Sequence, residues 1–293
     1  MTFRTTVLVA LATTGMLLTG CAQPEPDLAP APVRTSYEVQ RDDASIRVIA
    51  EGEGPTVVLL PSRGRDSLDF DTVAAGIAAD GYRVLRPQPR GVAGSTGPLE
   101  GITLHDLAAD VADVVRHAGT GPAVIVGHAY GNWVARMTAV DHPDLVRGVV
   151  IAAAAAADYP PELSVRVTRS SDMMRPEPQR REDLRAAFFA EGNDPSPWLH
   201  GWYPDASRAQ RTAGTAIDRN AWWSGGTVPM LDLVATEDPF RPAGTENEIR
   251  DEFGDRVTVQ VVPGASHALL PERPQAVVDA IGNWIGSLPE PVA

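Results

Sequence analysis

Five short apolar runs separated by helical patterns constrain this chain more than any other feature. They are "TVVLLP" (56–61), "YRVLRP" (82–87), "PAVIVG" (122–127), "VRGVVIAAAAA" (146–156) and "VPMLDLVATEDP" (228–239). A run without polar alternation suits a strand buried on both faces, as in a parallel sheet covered by helices. Between the runs lie "DFDTVAAGIAADG", with Gly81 as its C-terminal cap, "LHDLAADVADVVRHAG" and "NWVARMTAVDHP", all of helical period. "TENEIRDEFGD", "RVTVQVVPGASH" and "PQAVVDAIGNWIGSL" continue the alternation to the end. Strands alternating with helices imply right-handed crossovers and an α/β fold with helices on both faces of a mostly parallel sheet. Upstream, "SYEVQ" and "SIRVIAEG", separated by "RDDA", read as an antiparallel hairpin.

The alternation breaks between residues 158 and about 226. This stretch is rich in Pro, Arg and Glu, holds four of the six tryptophans (Trp198, Trp202, Trp222, Trp223) and lacks a buried strand run. It is expected to be a helical cap over the sheet edge, the alternative being a peripheral decoration whose tryptophans only pack.

The first twenty residues carry one arginine, an apolar stretch and then small residues, the pattern of a secretory signal. Leu18-Thr19-Gly20-Cys21 resembles a bacterial lipobox, which implies lipidation of Cys21, the single cysteine of the chain. "AQPEPDLAPAPVR" follows. Residues 21–36 are expected to form a tether, roughly 40 Å long in polyproline geometry. Residues 37–288 would then be a domain held on the extracytoplasmic side of a cell membrane by acyl chains. The alternatives are a short membrane anchor or an ordinary signal with a chance cysteine.

The formal charge is −13, and all 25 basic residues are arginine. An acidic surface repels phosphate backbones, so nucleic acid is not an expected partner. The absence of lysine excludes Schiff-base chemistry and a P-loop lysine. No HExxH, CxxC or EF-hand spacing occurs, and Gly52-x-Gly54 precedes a strand rather than a helix. Neither a metal nor an organic cofactor is expected.

Three further stretches point to chemistry. Gly127-His128-Ala129-Tyr130-Gly131 lies between a strand and a helix, Asp238 follows a buried strand in "LVATEDPFRP", and His267 follows the last strand in "VVPGASHALLPERP". In this order and context the chain resembles the α/β-hydrolase superfamily from Tyr37 to Leu288, and the corner resembles its G-x-S-x-G nucleophile elbow. The resemblance implies that Asp238 is the acid, His267 the base, and the backbone amides of Tyr130 and Arg63 the oxyanion hole. The loop Pro61-Ser62-Arg63-Gly64 departs from the His-Gly pair common in the family, which puts the second donor in question.

The larger departure is Ala129, which stands at the nucleophile position. Alanine offers no lone pair, so an acyl-enzyme cannot form there. Losing the nucleophile of such a triad costs on the order of 10⁶ in turnover. Four readings stay open. His267 and Asp238 could act as a general-base dyad on water or on a substrate proton. The chain could be a pseudo-hydrolase that binds a ligand. Ser62 or Ser266 could replace the missing hydroxyl, although local loop hydrogen bonds suit both. An engineered exchange is the fourth, and the intact signal segment argues against it. Asp158 is the alternative acid.

Structural roles are expected for the remaining candidates: His128 packed under the corner, His200 in an exposed loop, His105, His117 and His142 near helix ends, and Arg90 in a loop. The cap balances nine Arg against ten Asp and Glu and is dense in aromatics. A small, largely apolar substrate with one polar reacting group is therefore expected.

Overall fold

The computed structural model describes Met1 and residues 33–289. Cys21, the signal segment and most of the tether lie outside the described residues. From residue 33 onward the described residues belong to one compact unit. Strand β1 (Thr35–Gln40) already contains Thr35 and Ser36, which the sequence assigns to the tether. Thr35 pairs with Ala50, so the hairpin ladder extends the domain two residues further than composition suggests.

In chain order the elements continue as β2 (Ser45–Glu51), β3 (Thr56–Leu60), α1 (Asp71–Ala79), β4 (Arg83–Pro87) and α2 (Leu104–Ala118). Next come β5 (Ala123–His128), α3 (Tyr130–Asp141) and β6 (Val146–Ala152). Three helices, α4 (Glu162–Ser171), α5 (Glu177–Ala187) and α6 (Pro204–Thr215), separate β6 from β7 (Met230–Ala235). The chain closes with α7 (Glu248–Phe253), β8 (Val257–Val262), the single turn α8 (Leu269–Glu272) and α9 (Pro274–Ser287).

The eight strands form one sheet in the order β1-β2-β4-β3-β5-β6-β7-β8. The pairs β1–β2 and β2–β4 are antiparallel, and every other pair is parallel. Strand side chains divide by parity between two cores. Val57, Leu59, Val124, Val126 and Val150 face α1 and α9, while Val58, Leu60, Ile125, Val149 and Ile151 face α2 and α3. Burial on both faces is why these runs show no polar alternation, and each buried Val or Leu contributes about 1.5–3 kcal/mol. Helix α2 is fixed at both ends. Thr103 and Asp106 form a reciprocal capping box, and Gly119 ends the helix in a left-handed conformation.

A third core joins the α4–α6 segment to the sheet, through Leu184, Phe188, Trp198 and Trp202 against Phe240 and Ala268. Arg65, in the loop after β3, lies 5.0 Å from the ring centroid of Trp198 and 4.6 Å from that of Trp202. Its charge is met by Asp69 (2.8 Å) and by the carbonyl of His200 (2.5 Å). These contacts clamp the segment over the C-terminal ends of the strands, where α/β sheets bind ligands.

The corner between β5 and α3 depends on two glycines. A Cβ on Gly127 would lie 2.3 Å from the Gly131 carbonyl, and one on Gly131 would lie 2.3 Å from the Leu60 carbonyl oxygen. All of these obstacles are backbone, so no side-chain rearrangement relieves them. Gly131→Ala is expected to lower unfolding stability by about 1–3 kcal/mol or more, read as a lower urea midpoint. An unchanged midpoint would show that the corner can open without cost.

Candidate active site

Ala129 occupies the corner with φ 47° and ψ −112°. A non-glycine residue there is strained by about 1–3 kcal/mol, and its surroundings must hold it. They do so from three sides. The Ala129 amide donates to the Ala152 carbonyl (2.9 Å), and its own carbonyl accepts from the Asn132 amide (3.1 Å) and the Asn132 side chain. Asn132 is held in turn by buried Arg136, whose Nη2 donates to Asn132 Oδ1 at 2.5 Å and whose Nη1 donates to the Trp223 carbonyl at 3.1 Å. The strained turn thus survives in a residue that has no hydroxyl to present.

His267 and Asp238 arrive from loops that follow β8 and β7. His267 Nδ1 lies 2.9 Å from Asp238 Oδ2, both side chains being buried. A carboxylate only accepts, so Nδ1 carries a proton, and in the neutral imidazole the lone pair is on Nε2. Asp238 Oδ1 also accepts from the Phe240 amide at 2.9 Å, which leaves the carboxylate little freedom to rotate. Asp158, the alternative acid, is exposed, and His267 forms no pair with it.

Two carboxylates outside the expected set position these loops. Glu272 accepts from the amides of Ser266 (2.7 Å) and Ala190 (2.7 Å) and from Asn193 Nδ2 (2.6 Å). It therefore ties the histidine loop to the segment after α5. Asp232 accepts from Arg241 Nη2 at 2.7 Å inside the sheet. Arg241 also donates to the carbonyls of Thr245 and Ala154, which secures the loop that carries Asp238. Each is an isolated acidic residue in sequence, and no spacing marks its partner.

Ala129, Tyr130, Ser62, Arg63 and His267 line one open cavity of about 120 Å³, together with Phe188, Phe240, Val167 and Trp133. A cavity of about 150 Å³ accepts benzene, so a small group fits here. Tyr130 is the first residue of α3, and its amide has no intrahelical acceptor. Among the described residues the Arg63 amide has no acceptor either. The loop bearing it is held by Gly64, whose amide donates to Gln210 Oε1 (2.7 Å) and whose carbonyl accepts from the Tyr203 amide (2.8 Å). Tyr159 and Ser164, from the segment after β6, add hydroxyls to the lining. Among the described residues no group of three or more His, Cys, Asp or Glu side chains is arranged to hold a metal.

Of the remaining candidates, Ser62 lines this cavity and the others lie apart from it. Ser266 donates its hydroxyl to the Glu237 carbonyl (3.0 Å), and no hydrogen bond joins Ser62 to His267 among the described residues. His105, His117 and His200 are exposed, and His142 is half-buried. Arg90 is buried between Asp110 (2.7 Å) and Asp43 (2.7 Å).

His128 is fully buried beneath the corner, and its Nε2–H donates to the His267 carbonyl at 2.7 Å. Burial, with the neighbouring His267 adding to it, pulls its pKa down to about 3 from the usual 6.5. The folded state therefore binds fewer protons than the unfolded chain between those values, and stability is lost as pH falls through that window. The wild type should lose up to about 1.4 kcal/mol per pH unit more than His128→Asn between pH 6 and 4, measured by urea unfolding. Parallel profiles would mean that His128 gains a proton in place.

Known proteins resemble the chain over nearly the same span. The model of the alpha/beta hydrolase family matches residues 57–280. The 2-(acetamidomethylene)succinate hydrolase of Mesorhizobium japonicum is 25% identical over 268 residues, covering 82% of this chain and 91% of that protein. The pyrethroid hydrolase of Sphingobium wenxiniae is 26% identical over 237 residues, covering 73% and 82%. The crystal structure of E-2-(acetamidomethylene)succinate hydrolase superposes with a TM-score of 0.70 at 22% identity, over 87% of this chain and all of that one. The fold, the strand order and the family match agree, and the chain belongs to the alpha/beta hydrolase family.

Proposed function

We propose that the chain is a hydrolase-family enzyme acting on small molecules without a serine nucleophile, with His267 and Asp238 as a general-base dyad. The observation that carries this reading is that His267, paired with buried Asp238, lines the same cavity as Ala129, Tyr130 and Arg63. The space that a serine Oγ would fill is left to water or to a substrate proton. In hydrolysis, Nε2 takes a proton as the water oxygen bonds to the acyl carbon, and the Tyr130 and Arg63 amides hold the developing oxyanion. The imidazolium, stabilised by Asp238, then returns its proton to the leaving oxygen as the C–O bond breaks, giving acid and alcohol.

The largely apolar lining supports a substrate with one polar reacting group. The names of the relatives span succinate-derivative, pyrethroid, epoxide and haloalkane chemistry, so none of their substrates is carried over. Ala129 itself favours a second reading, a ligand-binding protein that kept the cavity and lost turnover.

An ester panel separates the two. Under the dyad reading the native chain turns over a small ester, and His267→Ala slows it by about 10²–10⁴-fold. Turnover by Ala129→Ser alone would instead favour the binding protein or a non-ester reaction.

The Leu18–Cys21 pattern supports the further reading that the domain is held at the outer face of a cell membrane through lipid on Cys21. Radiolabelled palmitate is expected to enter the native chain and not Cys21→Ala. Equal labelling of both would remove the anchor.

A further inference from the structure

The buried arginines of the domain have partners. Arg65 meets Asp69, Arg86 meets Glu51 and Asp71, and Arg90 meets Asp43 and Asp110. Arg241 meets Asp232, while Arg136 and Arg180 are held by carbonyl oxygens and, for Arg136, by Asn132. Arg63 differs. Among the described residues its guanidinium forms no ion pair and no hydrogen bond, and its Nε is buried without a partner. The groups that face it electrostatically are Tyr130 of α3, Tyr159 after β6 and Arg211 of α6. None is a carboxylate, although the chain carries 38 acidic residues.

Withdrawing a cation in part from water without a partner is costly, and a ligand anion would remove that cost. Arg63 lines the cavity that holds Ala129 and His267. Val167, Phe188 and Phe240 add only apolar side chains to the lining. We propose that Arg63 binds the carboxylate of the ligand, making the site selective for a small organic acid with a compact apolar body. Arg211, exposed on α6, adds to the positive potential at Arg63, which favours entry of an anion. The guanidinium fork matches a carboxylate with two parallel hydrogen bonds, whereas an amide or ester presents a single acceptor.

This inference rests on the reading of the cavity as the active site, and its test is made independent of turnover. Calorimetric titration of the full chain with benzoate and with benzamide, which share size and shape, reads the charge preference directly. Benzoate is expected to bind about tenfold or more tightly than benzamide, a preference lost in Arg63→Gln and partly kept in Arg63→Lys. Arg63→Gln retains the backbone amide, and removing an unpaired, half-buried charge should leave its thermal midpoint unchanged or raised. Equal binding of the two probes, binding of neither, or the same preference in Arg63→Gln would each overturn the proposal. So would a midpoint lowered by about 3 °C or more in Arg63→Gln, because the guanidinium would then be a structural element. Ester turnover measured alongside reports on the dyad alone. Benzoate selectivity without turnover would remove the dyad reading and leave the carboxylate site, and turnover without selectivity would do the reverse.

Discussion

Backbone packed against backbone at the β5–α3 corner is the constraint on which the rest of the site depends. Gly131 rests on the carbonyl of Leu60, and Gly127 on Gly131, at separations that leave no room for a methyl group. This contact sets the angle at which α3 leaves the sheet. It therefore sets where the free amide of Tyr130 points and how close the helix comes to the loop after β3. The strain at Ala129 follows from the same contact: a chain that must turn within one residue between two such glycines passes through positive φ.

Around that corner the polar groups form a chain of supports. Arg136 holds Asn132, Asn132 holds the Ala129 carbonyl, Arg241 holds the acid loop, and Glu272 holds the histidine loop to the segment after α5. Buried ions are expensive unless paired, so each of these is satisfied by a specific partner and is correspondingly rigid. Rigidity is what a proton-transfer dyad needs, since its geometry must stand ready before the substrate arrives. Against this background the unpaired guanidinium of Arg63 stands out as chemistry directed at a ligand rather than at the fold.

The corner keeps its architecture without a hydroxyl. With alanine at position 129 the strained turn and the His267–Asp238 pair are both in place. Relatives in the family carry names from pyrethroid, epoxide and haloalkane chemistry, which accords with a scaffold that hosts many activities.

What the sequence determined by itself was set by local periodicity. Strands buried on both faces must read as continuous apolar runs, and their alternation with helical patterns left little topology to choose. The positions of Ala129, Asp238 and His267 were legible because each follows a strand, and strand ends converge on one edge of a parallel sheet. Tertiary structure alone decided what those residues meet. Tyr159, Ser164, Val167 and Phe188 reach the cavity from a helical segment whose docking no period encodes. The selection of Asp238 over Asp158 likewise depended on which loop bends inward. The isolation of Arg63 could not be read from a chain with 38 acidic residues, because pairing depends on distances between loops far apart in sequence. A side chain's type is local information, and its partner is not.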